Sequence, residues 1–501
     1  MQDLFSDDLE VMDIKGWKVT NFSADSFNPQ EARMALEDKY WPITEVTDRF
    51  DRQSVSFQLS KKGCLHRWLK YKEGFSADLV KMLLDDFHLQ KGDVVADPFM
   101  GSGTTAVVSV LDGYNSLGFD ILPMSKIAIQ AKTLIYEYDL LELQRMLDEI
   151  ATLNVPIGYT DKTPEISITR HGYPIATSYE LAYYKDYFSK SNYSDNAKIL
   201  LELCMLNSLE RISYSAKDGQ YLRWDWRCPK IIEASKARVK AGRKPFVVKL
   251  DKGVLPSLKQ VLSEELEFVI EDIKSFQENG KKGIDVKCDF IEGSVLFELP
   301  KIKADSINAV ISSPPYCNRY DYTRTYAMEL AYLGVTETGI RKLRQDLLSC
   351  TVENKSKTDI LKEFYSDIER FDTYERVMDV IRANDALQEI NQALKHRSEN
   401  GEINNKGVLR MVDGYFTELT FLFAELYRVC KPGAHVAFVN DNVRYAGEVI
   451  PVDFLTTSLA EQIGFKPIKV YTLRQQKGNS SQQMKKYGRV ALRKSITIWK
   501  K

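Results

Sequence analysis

The hydrophobic pattern in the first third of the chain alternates between amphipathic stretches and short apolar runs. Apolar residues at helical spacing predict a helix over 77–89, and Ser76 stands where its N-terminal cap would be. Apolar runs at 93–99 and 115–121 predict buried strands, and a second helix is predicted over 125–138. A strand, a glycine-rich turn, a helix and a second strand form the beginning of a doubly wound parallel sheet.

The same alternation returns after residue 283. Apolar runs predict further strands at 284–290, 306–313 and 434–440, amphipathic stretches predict helices at 414–430 and 454–464, and 465–473 with 493–500 is predicted to form a final antiparallel pair. We therefore predict an α/β fold with a doubly wound, mostly parallel sheet of about seven strands. The antiparallel pair ends this sheet, and mainly helical insertions interrupt it.

Composition places the chain among globular proteins and restricts its partners. Of the 501 residues, 44% are hydrophobic and 28% are charged, which excludes a disordered or collagen-like chain. The 69 Lys and Arg nearly balance the 70 Asp and Glu, so a polyanionic partner requires a local basic patch. The seven cysteines are scattered without a Cys-x-x-Cys pair, and no metal site is predicted. The chain shows neither a signal-peptide pattern nor an apolar run of membrane length, which predicts a cytoplasmic protein.

The turn DPFMGSGTT at 97–105 is the first candidate for ligand binding. Gly101 and Gly103 allow the backbone to approach a ligand closely, and the amides of the following helix favour an anionic group. Asp120 ends the next predicted strand, where its carboxylate is placed to accept hydrogen bonds from ribose hydroxyls. The turn lacks both the third glycine of a dinucleotide-binding loop and the ending of a P-loop. A nucleoside-type cofactor is one interpretation, and a plain tight turn is the other.

The second candidate is the tetrapeptide SPPY at 313–316, which follows a predicted strand. Two prolines cannot continue a central strand, so the chain must turn here. A plain loop start is one interpretation. The pattern [Ser/Asp/Asn]-Pro-Pro-[Tyr/Phe] after a buried strand also resembles the active-site motif of enzymes that methylate exocyclic amines of bases. This resemblance implies that Ser313 and the Pro314 carbonyl accept both N–H groups of the amine and free its lone pair, and that Tyr316 stacks on a base swung out of the duplex. Cys317 has no histidine in the neighbouring motif to activate its thiol, so we interpret it as a packing residue.

Together, the two motifs resemble the cofactor loop and the active-site motif of the DNA amino-methyltransferases. The resemblance implies a methyltransferase sheet, S-adenosyl-L-methionine as cofactor and double-stranded DNA as substrate. It also implies that Phe75 and Ser76 close over the methionine end of the cofactor and that Asp289 faces its adenine ring. The implied catalytic residues are Ser313, Pro314, Pro315 and Tyr316, and the implied cofactor-binding residues are Phe75, Ser76, Asp97, Phe99, Gly101, Gly103, Thr104, Thr105, Asp120, Asp289 and Phe290.

The resemblance also divides the chain into segments. The cofactor motif comes first and a large insertion separates it from the tetrapeptide, as in the permutation class that places target recognition between them. The predicted segments are an N-terminal extension (1–60), the cofactor-binding half (61–140), an inserted helical and basic target-recognition subdomain (141–282), the catalytic segment (283–335), a helical insertion (336–408) and the C-terminal half (409–501).

Two basic stretches are candidates for holding DNA. Residues 217–249 carry ten Lys or Arg against three acids, with aromatic residues interleaved, and residues 474–494 carry seven Lys or Arg and no acid. Phosphates attract cationic side chains, and bases are contacted by arginines and aromatic rings. A solvated basic helix with core tryptophans is the alternative for the first stretch. The predicted DNA-binding residues are Arg223, Trp224, Arg227, Arg238, Lys240, Arg243, Lys244, Asn479, Gln482, Lys485 and Arg489.

Ser313 stands at the first position of the tetrapeptide, where many adenine enzymes have Asp or Asn, and in this respect the motif resembles the cytosine-N4 group of the family. The resemblance therefore implies methylation of cytosine N4 in a short DNA sequence. Three alternatives remain open from the sequence. Methylation at adenine N6 differs only in the target base, and an RNA guanine-N2 methyltransferase uses a related Pro-Pro-Tyr loop. A catalytically inactive DNA-binding protein is the third, although both motifs are intact. The resemblance further implies a role in restriction–modification or phage defence, with a cognate endonuclease or defence-system proteins as possible partners.

Overall fold

The structure is a computed structural model. It describes residues 17–56, 58–61, 63–71, 74–218, 221–279, 286–474, 477–478, 486–488 and 490–501. None of the helices formed by these residues combines the length and the apolar character that a membrane crossing requires.

The strands of the described residues lie in one large sheet and three two-stranded ribbons. In chain order they are β1 (Thr44–Thr47), β2 (Val94–Asp97), β3 (Asn115–Asp120), β4 (Ser215–Asp218), β5 (Tyr221–Trp224), β6 (Cys288–Glu292), β7 (Ile307–Ser312), β8 (Cys430–Asp441), β9 (Val443–Tyr445), β10 (Glu448–Ile450), β11 (Lys466–Leu473), β12 (Lys477–Gly478), β13 (Ala491–Leu492) and β14 (Lys494–Lys500).

Helices surround the sheet and supply most of the inserted segments. In chain order they are α1 (Glu31–Tyr40), α2 (Ala77–Phe87), α3 (Thr104–Leu111), α4 (Pro123–Thr133), α5 (Leu140–Thr152), α6 (Ile175–Lys190), α7 (Asp195–Ile212), α8 (Pro229–Lys240), α9 (Leu258–Asn279), α10 (Val295–Glu298), α11 (Tyr322–Thr325), α12 (Ala327–Tyr332), α13 (Glu337–Asp346), α14 (Thr358–Asp367), α15 (Phe371–Ala383), α16 (Asp385–Glu399), α17 (Gly407–Val429) and α18 (Val452–Ile463).

The large sheet has eight strands in the order β1-β11-β14-β8-β7-β2-β3-β6. Strand β14 runs antiparallel to both β11 and β8, whereas the other described neighbours pair in parallel. The predicted α/β class, the mostly parallel sheet and the antiparallel final pair are therefore confirmed. The predicted number of strands was too low, because β1 joins the edge of the sheet beside β11. Four residues at an edge, none of them strongly apolar except Val46, carry too little pattern to predict a strand.

Strand residues pack alternately on the two faces of the sheet, because successive side chains of a strand point in opposite directions. Ala96 and Val310 contribute to a core with α15 to α18 on one face. Their strand neighbours Val95 and Ala309 contribute to a core with α2 on the other. Ser76 caps α2 as predicted, since its hydroxyl accepts the Leu79 amide at 3.3 Å.

The first insertion contributes a third core, and the second insertion packs on the sheet. Helices α5, α7 and α9 bury apolar side chains such as Met146, Leu200 and Val261 together with residues of α4. Helices α14 to α16 instead share the core of α17, where Tyr365 and Ile390 are fully buried. Both segments are helical as predicted, apart from the β4–β5 ribbon in the first.

A buried ionic cluster fastens the N-terminal segment to the sheet. The Arg493 guanidinium pairs with Glu37 of α1 and with Asp453 of α18, and all three side chains are at most 1% exposed. The closest Arg493 atom lies 3.1 Å from the Asp453 carboxylate. A charge removed from water in this way is stable only while its partners remain.

We expect Arg493→Met to lower the free energy of unfolding by about 3–5 kcal/mol, because two buried carboxylates lose their cation. Urea unfolding followed by circular dichroism measures the loss. The control is Lys18→Ala, which breaks a surface pair with Asp38 at 2.7 Å and is expected to change the same free energy by less than about 1 kcal/mol. Equal losses in the free energy of unfolding for the two substitutions would show that the buried cluster stabilises the protein no more than a surface ion pair does.

Candidate active site

A cavity of about 790 Å³ opens at the carboxyl ends of β2, β3 and β7. In a doubly wound sheet, ligands bind at this edge of the strands. The turn after β2, the end of β3 and the loop after β7 all line the cavity. Among the predicted site residues, those that line it are Phe75, Phe99, Gly101, Thr104, Asp120, Ser313 and Pro315.

The glycine turn has the shape that its sequence predicts. Gly101 and Gly103 both have positive φ, at 53° and 80°. A Cβ on Gly101 would lie 3.0 Å from the Tyr71 ring, and one on Gly103 would lie 2.5 Å from the Ile129 side chain. Gly101 therefore allows the Tyr71 ring to pack against the turn at the cavity wall, whereas Gly103 lies outside the cavity and allows α3 to pack against α4.

Asp120 ends β3 at the cavity, and its carboxylate holds the turn. One oxygen accepts the Gly101 amide at 2.8 Å and the other accepts the Leu122 amide at 2.8 Å. Burial raises the pKa of Asp120 above its ordinary value. Each carboxylate oxygen has a second lone pair, so both remain able to accept a ligand hydroxyl.

Asp97 and Thr105 lie behind the cavity and connect the turn to the catalytic strand. The Ser312 hydroxyl donates to Asp97 at 2.6 Å, and the Thr105 hydroxyl donates to the Ile311 carbonyl at 3.2 Å. Burial raises the pKa of Asp97 to about 6. Neither side chain lines the cavity, so these contacts position the two loops relative to each other.

The tetrapeptide places Ser313 and Pro315 at the cavity, with Tyr316 buried behind them. The Ser313 hydroxyl donates to the Tyr316 phenol oxygen at 3.0 Å, and the Lys494 ammonium donates to the same oxygen at 3.3 Å. Lys494 also lies 4.9 Å from the centre of the Tyr316 ring and 3.6 Å from the Asp441 carboxylate. Sequence reasoning missed Lys494 and Asp441, because strand pairing alone brings them to the tetrapeptide.

Cys317 is a core residue, as the sequence analysis interpreted it. Its side chain is fully buried in the main core, and its carbonyl accepts the Tyr445 hydroxyl at 2.6 Å. Burial raises the pKa of the Cys317 thiol far above its ordinary value. A neutral, enclosed thiol is not a nucleophile.

The remaining predicted cofactor residues fall outside the cavity. Ser76 is occupied as the cap of α2. Asp289 is exposed on β6, and Phe290 packs beside Met100 behind the turn. The prediction that Asp289 ends its strand was wrong, because β6 continues to Glu292.

Residues that follow the strand ends take part in the cavity without having been predicted. Gly293 and Ser294 come directly after β6 and line it, and the Ser294 hydroxyl donates to the Asp346 carbonyl at 2.9 Å. Leu347 and Leu348 line it from the chain beyond α13. No local motif marks these positions in the sequence. In the described part of the chain, no cluster of three or more His, Cys, Asp or Glu is arranged to hold a metal ion.

Most of the predicted DNA-binding residues of the first basic stretch lie within residues 226–250, a largely exposed segment that we call the basic arm. Asp225 connects the two ends of the arm, because its carboxylate accepts hydrogen bonds from the Arg227 guanidinium at 2.8 Å and from the Lys252 amide at 2.7 Å. Helix α8 of the arm has no buried residue. Arg227 is thus engaged within the protein, whereas Lys240, Arg243 and Lys244 are exposed.

The other predicted DNA-binding residues divide into three groups. Arg223 is exposed on β5, and Trp224 lies beneath the Lys230 ammonium at 3.6 Å. The Arg238 guanidinium lies over the Phe246 ring at 4.6 Å and donates to the Lys244 carbonyl at 3.0 Å. The remaining four, Asn479, Gln482, Lys485 and Arg489, lie outside the described residues.

Comparisons with known proteins match this arrangement to one family. A family model described as DNA methylase matches residues 11–130. The Type II methyltransferase M.BsoBI of Geobacillus stearothermophilus is 53% identical over 485 residues, which are 97% of this chain and 95% of that protein. The chain belongs to the S-adenosylmethionine-dependent DNA amino-methyltransferases. A second member, the Type II methyltransferase M.AvaI of a Nostoc species, is 35% identical over 497 residues covering 95% of each chain.

The cavity of this methyltransferase fits S-adenosylmethionine. Asp120 would provide acceptors for ribose hydroxyls, and Gly101 allows the Tyr71 ring to pack against the turn beside that carboxylate. The apolar side chains Phe99 and Leu122 are placed to cover a nucleoside ring, and Ser313 marks the end of the cavity that belongs to the catalytic loop.

We expect Asp120→Asn to weaken S-adenosylmethionine binding by about 10-fold to 150-fold, because a hydrogen bond to a charged group contributes about 1.5–3 kcal/mol. Isothermal titration measures the dissociation constant. Asp289→Asn is the matched control, since this carboxylate is exposed and outside the cavity. Equal dissociation constants for the two variants would show that Asp120 does not bind the ribose.

Proposed function

We propose that this protein methylates the exocyclic N4 amine of cytosine at a specific site in double-stranded DNA. The observation that carries the proposal is the serine at the first position of the tetrapeptide, with its hydroxyl at the cavity. Bound S-adenosylmethionine supplies an electrophilic methyl group on sulfur. The protein's part is to hold the amine in line with that methyl group and to keep its lone pair available.

The hydrogen bonds of the tetrapeptide support this role for Ser313. Its hydroxyl donates a hydrogen bond to the Tyr316 phenol oxygen at 3.0 Å. The lone pairs of the Ser313 oxygen are therefore left to accept an N–H of the target amine. The Pro314 carbonyl accepts the other N–H. Two acceptors favour a pyramidal nitrogen, in which the lone pair is no longer delocalised into the ring. The lone pair would form the new N–C bond as the bond between that carbon and sulfur breaks, leaving a neutral thioether, and the methylated nitrogen would release one proton to solvent. No covalent bond joins enzyme and base.

Tyr316 takes the proposed role of a stacking surface for the extruded base. Its ring is buried behind Ser313 and Pro315, and its phenol oxygen accepts hydrogen bonds from Lys494 and Ser313, so this role requires the loop to open when DNA binds. The buried neutral thiol of Cys317 supports methylation of an amine over methylation at a ring carbon, which requires a thiolate.

The proposed DNA-binding surface is the basic arm together with Arg223 and Trp224. Seven Lys or Arg of 226–250 besides Arg227 oppose one acid, Glu233, and most of these side chains are exposed. The phosphates of duplex DNA attract such a cluster of cations. We further propose that Asn479, Gln482, Lys485 and Arg489 contact DNA and that an endonuclease with the same target sequence accompanies the enzyme. Both relatives are Type II methyltransferases, which supports the assignment to restriction–modification.

The base assignment is tested by expressing the protein in a host without DNA methylation. Sequencing that distinguishes N4-methylcytosine from N6-methyladenine is expected to find N4-methylcytosine at one short recurring sequence. Cells producing the Tyr316→Ala variant serve as the control. Detection of N6-methyladenine alone would overturn the base assignment. The absence of any modified base would overturn the proposed DNA activity.

We expect substitutions in the tetrapeptide to separate binding from chemistry. Tyr316→Ala removes a stacking interaction worth about 1–3 kcal/mol and is expected to weaken both capture of the base and methyl transfer. Ser313→Ala removes one acceptor, so the rate of methyl transfer is expected to fall more than DNA affinity. Single-turnover transfer and DNA titration measure the two effects.

The control for this series is Cys317→Ser, which is expected to remain active because the thiol takes no part in the reaction. Loss of activity only in Cys317→Ser, with a protein–DNA adduct in the wild type, would replace amine methylation by attack at a ring carbon.

We expect neutralisation of the basic arm to weaken DNA binding without affecting the cofactor. Changing Arg238, Lys240, Arg243 and Lys244 to Gln is expected to reduce the slope of log affinity against log salt by about 0.9 per lost phosphate contact. Changing four exposed lysines of the second insertion, Lys355, Lys362, Lys395 and Lys406, removes the same charge elsewhere. An equal change of slope in both variants would exclude the arm as the main DNA contact.

A further inference from the structure

Arg319 has an unusual backbone conformation in the loop between the tetrapeptide and α11. Its φ is +67°, in the left-handed region that residues other than Gly, Asn and Asp adopt rarely. The residue follows Tyr316 by three positions, so its α-carbon lies at most about 11 Å from that of the stacking ring. Strain of this kind is concentrated at functional sites.

The side chain of Arg319 is supported by a tyrosine from a different element. Its guanidinium lies 5.8 Å from the ring centre of Tyr445, the last residue of β9. The hydroxyl of the same tyrosine donates to the Cys317 carbonyl at 2.6 Å. Tyr445 thus holds both the loop backbone and the guanidinium, and it orients a cation beside the catalytic loop.

The charge of Arg319 is not neutralised by the described residues. Two neighbouring arginines, Arg324 and Arg344, pair with Asp321 at 3.2 Å and 3.0 Å. Arg319 forms no ion pair with any carboxylate in the described ranges, although it is partly buried. A partly desolvated guanidinium attracts an anion, and its planar fork matches two oxygens of a phosphate.

We propose that Arg319 binds the backbone phosphate next to the nucleotide whose base is held at the tetrapeptide for methylation. The inference rests on the proposed function, because it assumes an extruded base held at the tetrapeptide 313–316. Once the base occupies that position, its flanking phosphates lie near the chain that follows the tetrapeptide, and the α-carbon of Arg319 is within about 11 Å of that of Tyr316. The contact holds the strand in its extruded form while the methyl group is transferred.

The test combines variants of Arg319 with an altered phosphate. Arg319→Asn removes the cation while retaining a residue that tolerates the left-handed backbone, and Arg319→Lys retains the charge without the planar fork. Each protein is assayed in single turnover on the duplex sequence identified above. A second duplex has a neutral methylphosphonate on either side of the target nucleotide.

We expect Arg319→Asn to slow methyl transfer on the charged duplex by about 10-fold to 150-fold, as for a lost bond between charged groups. The neutral duplex is expected to slow the wild type similarly and to slow Arg319→Asn no further, because both changes remove the same contact. Arg319→Lys is expected to fall between. Arg341→Gln, an exposed arginine of α13, is the control and is expected to match the wild type on both duplexes.

Three results would overturn the inference. Wild-type rates in Arg319→Asn would show that the residue has no role in transfer. If Arg319→Asn and the neutral phosphate each slow methyl transfer independently, so that the two factors multiply, Arg319 contacts another part of the DNA. A loss in S-adenosylmethionine affinity of the same size as the loss in rate would indicate a structural role. Inactivity of the wild type itself would instead refute the proposed function.

Discussion

The hydrogen bond from the Ser312 hydroxyl to the Asp97 carboxylate, at 2.6 Å, connects the two loops on which the site depends. Asp97 ends β2 and begins the cofactor turn, while Ser312 ends β7 and precedes the tetrapeptide. The Asp97 carboxylate also accepts the Phe99 amide at 3.0 Å, so one buried side chain fixes the turn internally and relative to the neighbouring strand. In the proposed reaction, this contact sets the distance between the methyl donor and the amine.

The requirement for a fixed distance explains why polar groups are buried here at all. Burial raises the pKa of Asp97 to about 6, which reflects the free energy needed to keep its charge away from water. An apolar pair in its place would remove that penalty and also the direction that hydrogen bonds impose. The Thr105 hydroxyl, bound to the Ile311 carbonyl at 3.2 Å, adds a second directed contact between the same loops.

A chain of aromatic and ionic contacts continues from this centre to the first insertion. The Tyr71 ring closes the space beside Gly101 and stacks on Tyr326 at 5.1 Å. Lys217 of the β4–β5 ribbon lies 4.7 Å from the Tyr326 ring and pairs with Glu329 of α12. The ribbon leads into the basic arm, so the proposed DNA-binding surface is attached to the helices that follow the catalytic loop.

The sequence alone was enough to predict the elements whose signal is local. The strand before the glycine turn, the cap at Ser76 and the turn after Ser312 each depend on a few neighbouring residues, whose periodicity and backbone preferences carry the information. The placement of Asp120 at the cavity followed from the same logic, because a residue at the end of a strand reaches the same edge of the sheet in any parallel arrangement. Asp289 failed this test, since its strand continues to Glu292, two residues beyond the predicted end at 290.

Tertiary structure alone decided which distant residues complete the site. Lys494 reaches Tyr316 although the two residues are 178 positions apart, because β14 inserts between β11 and β8 in antiparallel orientation. Tyr445 of β9 meets Arg319 although the two lie far apart in the chain, and Leu348 of the second insertion reaches the cavity wall where that segment packs in the core with α17. Motifs and periodicity describe how a segment folds and which chemistry it can support. They contain no information about which other segment will pack against it, and that depends on the burial of apolar area summed over the whole chain.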